Sequence, residues 1–129
     1  MPRTIAKVAT SLSTEAASLA QDPLHQIESP MERAMELMGD KYSFQIIDIL
    51  HRFEKQRFVE LEDQISGISP RTLSARLKHL EYYGLILRHQ FPTIPPRVEY
   101  SLTERGKDLA GVITELLRWT NTWYPFQPV

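Results

Sequence analysis

The residues best equipped for chemistry lie in one short stretch, 69–79. Ser69, Arg71, Thr72, Ser74, Ala75, Arg76, Lys78 and His79 bring hydroxyls, cations and one small side chain close together. An arginine fork pairs bidentately with a guanine edge, and serine or threonine reaches a base or a phosphate oxygen. At helical spacing Leu73, Leu77 and Leu80 share one side, and Arg71, Ala75, Lys78 and Tyr82 lie opposite, flanked by Ser74 and His79. Ser69-Pro70 supplies a cap and a first-turn proline. The free N–H groups of such a helix start attract phosphate. The small Ser74 and Ala75 permit close approach to a groove. The reading is that Arg71 and Ser74 meet base edges, while Thr72, Arg76, Lys78 and His79 hold phosphates.

A second set, Arg88, His89, Thr93 and Arg97, sits on or beside a proline-rich loop at 92–96. Cations on a stiff hairpin tip can straddle a nucleic-acid backbone or enter a minor groove. Rival chemistries lack their residues. The four histidines, His25, His51, His79 and His89, have no ligand spacing, and there is no cysteine, so no metal site and no cofactor is expected. Glu60, Glu62 and Asp63 read as a solvated helix start rather than an acid–base pair. No glycine-rich phosphate loop or nucleophile elbow is present. The chain is not expected to be an enzyme.

The elements that must position these residues follow from periodicity. Ile5, Val8, Leu12, Ala16 and Leu19 predict an amphipathic helix over 4–20, and 21–28 read as a polar connector. Ser29-Pro30-Met31-Glu32 starts a helix with a capping box, carrying a Met31, Met35 and Met38 stripe suited to core or interface, and Gly39 ends it. Tyr42–Phe53 predicts a mostly apolar central helix. Arg57–Val59 suggests a short strand, 60–65 a short helix, and 66–68 a turn. The capped helix from Ser69 runs to Gly84. Strands are expected at 85–91 and 97–102, joined by prolines that exclude a ladder interior. Thr103 caps a long helix to about Tyr124, with Leu109, Val112, Ile113, Leu116, Leu117, Trp119 and Trp123 in one stripe. Short helix, turn, capped helix and hairpin make a winged helix-turn-helix. The expected class is mostly α, with a two-stranded wing and flanking N- and C-terminal dimerisation helices.

Composition permits this reading. A chain of 129 residues with 42% hydrophobic and 24% charged side chains fits one globular domain plus an arm. The net charge of −1 conceals an uneven distribution. Residues 1–68 hold seven Lys/Arg against eleven Asp/Glu, whereas 69–107 hold seven against three. A basic third can offer a cationic face to phosphates. No apolar run approaches the roughly 20 residues that cross a bilayer, and no secretory signal is evident. A cytoplasmic, nucleoid-associated location is expected, with no membrane partner.

On these residues the sequence also resembles the HxlR-type winged-helix regulators of bacteria and archaea. The similarity spans 30–119. It includes Pro30-Met31-Glu32-Arg33-Ala34 and Gly39-Asp40-Lys41-Tyr42, where the family usually has Gly-Gly-Lys-Trp. It continues through 67–77, Leu80-Glu81, Gly84-Leu85-Ile86, 95–103 and Gly106. The resemblance implies a dimeric DNA-binding regulator whose terminal helices form the interface. Members commonly carry a cysteine before the proline matched by Pro30, and in some it senses oxidants or electrophiles. Here Ser29 stands there, so thiol switching is chemically excluded.

The expected organisation is an arm and connector at 1–28, a winged-helix domain at 29–124 and a tail at 125–129. The expected partners are double-stranded DNA and a second copy, with the interface formed by Ile5, Val8, Leu12, Leu109, Val112, Ile113, Leu116, Trp119 and Trp123. The interface residues follow from an aromatic C-terminus that a small monomer rarely hides. RNA polymerase is a further partner if regulation works by contact. The alternative is a winged-helix module that binds protein without reading DNA, which the acidic first half and aromatic C-terminus would suit.

Overall fold

The computed structural model describes residues 23–129. The expected helix at 4–20, with Ile5, Val8 and Leu12, lies outside the described residues. The described residues fall into two units, 23–39 and Asp40–Val129.

In the first unit a 3-10 turn at Pro23–Gln26 precedes α1, Pro30–Met38. Ser29 Oγ accepts from the Glu32 N–H at 3.2 Å, the serine half of the expected capping box. Arg33 donates back to the Ile27 and Glu28 carbonyls at 2.6 and 2.9 Å, tying the connector to the helix. Met31 and Met35 are exposed.

The second unit runs α2 (Ser43–Phe53), α3 (Phe58–Gln64), α4 (Pro70–Tyr82), β1 (Ile86–Phe91), β2 (Arg97–Leu102) and α5 (Glu104–Trp123). Its core explains the order. Ile46, Ile47, Ile49 and Leu50 of α2 are buried, as a central helix requires. Leu61 and Ile65 pack inward from α3, and Leu73, Leu77 and Leu80 from α4. Ile86, Tyr100 and Leu102 add one face of the sheet, and Ala110 and Ile113 add α5. The turn between α3 and α4 needs Gly67, whose φ of 79° is left-handed. The strands pair antiparallel from Ile86 opposite Leu102 to Phe91 opposite Arg97.

Two tethers lock the wing to the helices. Thr103 caps α5 by accepting from the Gly106 N–H at 3.0 Å, and its hydroxyl donates to the Gly84 carbonyl at 2.6 Å. Gly106 is buried against the Leu85 carbonyl, where a Cβ would overlap the oxygen. The strand suggested at Arg57–Val59 is absent. Gln56 alone bridges Tyr100, donating at 3.0 Å and accepting at 2.8 Å. The Arg57 N–H instead donates to Glu60 Oε1 at 2.8 Å. That bond closes a helix start, so Phe58 and Val59 become the first residues of α3 rather than sheet. No helix among the described residues is long and apolar enough to cross a membrane.

Candidate nucleic-acid interface

The helix α4 is capped as its sequence demands. Ser69 Oγ accepts from the Thr72 N–H at 3.1 Å and donates to Thr72 Oγ1 at 3.0 Å. With Leu73, Leu77 and Leu80 buried, the opposite side turns outward: Arg71, Ala75 and Lys78 are exposed, and Ser74, Thr72 and His79 are half-buried. Arg71 and Lys78 carry no ion pair among the described residues. The His79 ring stands edge-on to Tyr83, with centroids 4.9 Å apart.

The wing residues divide between the two faces of the sheet. Arg88 pairs with Tyr100 in register and so shares the helix-facing side. Ser74, Leu77, Lys78 and Glu81 of α4 line one cleft of about 410 Å³ with Arg88, Tyr100 and Phe58. The fold thus joins Ser74 and Lys78 of the helix to Arg88 of the wing. His89 and Arg97 lie on the other face, grouped around Phe91. The His89 ring meets Phe91 edge-on at 4.4 Å, and the Arg97 guanidinium lies 4.1 Å from the Phe91 centroid. Arg97 Nε also sits 3.6 Å from Glu99, so part of its charge is answered on the wing itself. At the tip, Thr93 Oγ1 donates to the Pro95 carbonyl at 2.8 Å.

Arg76, expected on a phosphate, is paired with a carboxylate of its own chain. Its Nη1 lies 3.3 Å from Asp40 Oδ2, ahead of α2. Local sequence alone assigns Asp40 no role. Its Oδ1 accepts the Tyr42 and Ser43 N–H groups, each at 2.8 Å, and Oδ2 accepts the Ser43 hydroxyl. Partial burial pushes the Asp40 pKa up, but the Ser43 hydroxyl, the two backbone N–H groups and Arg76 outweigh it and hold the carboxyl below its ordinary value. An aspartate three residues before a serine at a helix start is the pattern that would have revealed it.

Along α5, Ile113 is buried in the chain's own core and Leu109 is half-buried. Val112, Leu116, Leu117, Trp119 and Trp123 are exposed, followed by Tyr124 and Phe126. The rings of Trp119 and Tyr124 stand 5.7 Å apart. No group of three or more metal-ligating side chains occurs among the described residues.

A capped helix with a leucine underside, preceded by a short helix and followed by an antiparallel hairpin, defines a winged helix-turn-helix protein. Residues 37–128 match the HxlR-like helix-turn-helix family, and the chain belongs to it. It is 40% identical over 92 residues to an HTH-type transcriptional regulator of Halalkalibacterium halodurans, covering 71% of this chain and 81% of that one. The regulator YodB of Bacillus subtilis is 37% identical over 91 residues, covering 70% and 80% of the two chains. Reduced YodB superposes with a TM-score of 0.66 at 34% identity, over 78% of this chain and all (100%) of that one. The oxidised redox regulator HypR gives 0.69 at 29% identity, again over 78% and 100%. The protein is a helix-turn-helix transcriptional regulator, a class that is not enzymatic. Unlike a thiol-based redox regulator, it has no cysteine with which to sense.

Proposed function

We propose that the protein regulates transcription as a homodimer that reads a two-fold symmetric operator. In this reading α4 enters the major groove, and the wing lies along the neighbouring backbone or minor groove. One observation carries it: α4 buries Leu73, Leu77 and Leu80 while leaving Arg71, Ala75 and Lys78 exposed and uncovered. Arg71 and Ser74 are assigned to base edges. Ser69, Thr72, Lys78 and His79 are assigned to phosphates, with Arg88 extending the cationic track from helix to wing. Thr93, His89 and Arg97 serve the tip and outer face of the wing.

The exposed stripe of Val112, Leu116, Trp119 and Trp123 supports a second copy as its cover, because interfaces concentrate aromatics. Ile5, Val8 and Leu12 are proposed to join it from outside the described residues. A two-fold pair would set its reading helices about 34 Å apart, one helical turn of DNA. Mobility shift against duplexes selected from a random library by the full chain tests the proposal. Selection of a symmetric site with half-sites one turn apart is expected; no shift of any duplex at low salt would overturn it.

A further inference from the structure

On α4, Arg76 is bound by the carboxylate of Asp40. Taking Arg71 as zero and about 100° per residue, Arg76 falls near 140°, closer to Leu80 than to Lys78. It therefore leans off the outward face, where Asp40 meets it across 36 residues of sequence. The carboxylate cannot follow the arginine outward. Three hydrogen bonds from Tyr42 and Ser43 fix it in its own loop, and Ser43 is fully buried. Both side chains of the pair are only about a quarter exposed, at 28% for Arg76 and 26% for Asp40, so solvent screens them less than a surface pair.

We propose that Asp40 is a positioning residue for DNA discrimination: it anchors the flank of the reading helix and holds the Arg76 guanidinium away from the phosphate backbone. This rests on the DNA-binding reading above. A freed arginine beside a groove adds a sequence-independent phosphate contact, which strengthens binding to every duplex and erodes the ratio between right and wrong sites. Binding Arg76 internally leaves Arg71 and Lys78 as the outward cations of α4, so contact with the duplex depends on the face that can read it.

The test uses the full chain as wild type, Asp40→Asn, Arg76→Ala and the double variant. Each is titrated with salt against a duplex selected by the wild type and a scrambled duplex of equal composition. Asp40→Asn is expected to bind the scrambled duplex several-fold more tightly, with a log–log salt slope steeper by about 0.9. Removing Arg76 as well is expected to abolish that gain. Arg76→Ala alone is expected to keep the wild-type slope. The proposal is overturned if Arg76→Ala makes the slope shallower by about one contact, since Arg76 would then already be on phosphate. It is also overturned if Asp40→Asn leaves scrambled binding unchanged, or if the double variant keeps the gain. Should Asp40→Asn fail to fold by circular dichroism, the Arg76→Ala slope decides alone. Wild type binding neither duplex would instead sink the DNA reading itself, a separate and recognisable failure.

Discussion

Asp40 shows how much one carboxylate can do when it is held by its own loop. It satisfies two N–H groups at the start of α2 and the Ser43 hydroxyl, while pairing with Arg76. Because its pKa in the folded chain is depressed, the stability it contributes is fully present above its ordinary value of 3.8 and is lost as pH falls below that. Asp40→Ala is expected to cost about 1 kcal/mol at pH 7, typical of a lost cap. In thermal melts the gap to wild type should narrow as pH falls below 3.8 and through the depressed folded-state value; an unchanged gap would show that the charge contributes nothing. Arg71 belongs to the same scale. Arg71→Ala is expected to lose about 1–3 kcal/mol of discrimination between selected and scrambled duplexes. Equal weakening on both would remove it from the base edges.

At the scale of elements, the decisive feature is how closely α5 approaches the wing. Gly106 rests on the Leu85 carbonyl, and Arg105 donates to the Tyr83 carbonyl at 3.0 Å. Gly106→Ala is expected to destabilise the fold by about 1–3 kcal/mol through overpacking, read as a lowered denaturant midpoint. Leu77→Ala, which empties a site only 2% exposed beneath the reading helix, is expected to cost about 2–5 kcal/mol. A loss under 1 kcal/mol would mean that α4 is not seated as described. The element limits were legible from α1 to α5 wherever a cap and an apolar period coincided, as at Ser69-Pro70 and Thr103. They were misread at Arg57–Val59, because the bond from Arg57 to Glu60 is worth more there than a strand preference.

For the whole molecule, the exposed aromatic stripe of α5 sets the expected assembly. Trp119→Ala combined with Trp123→Ala is expected to shift the chain from dimer to monomer in sedimentation velocity. Affinity for a two-half-site duplex should fall by at least tenfold, and for a single half-site by far less, since a linked second contact is what the duplex loses. A variant that remains dimeric would place the interface elsewhere. Assembly and groove contact are thereby separable: Arg71→Ala should leave the sedimentation unchanged.

By itself the sequence determined the winged helix-turn-helix, because caps, prolines and leucine spacing act over a few residues and need no distant partner. It also determined that no thiol can sense, since no cysteine exists. Only the tertiary structure decided which cations stand together. Strand register set Arg88 on the cleft lined by Ser74 and Lys78 but turned His89 and Arg97 to the other face, and an ion pair across 36 residues of sequence gave Arg76 to Asp40 in the loop ahead of α2. Ile113, one of a uniform stripe in sequence, went into the core for the same reason. Pairings between residues far apart in the chain depend on helix seating and sheet register, which local spacing does not encode.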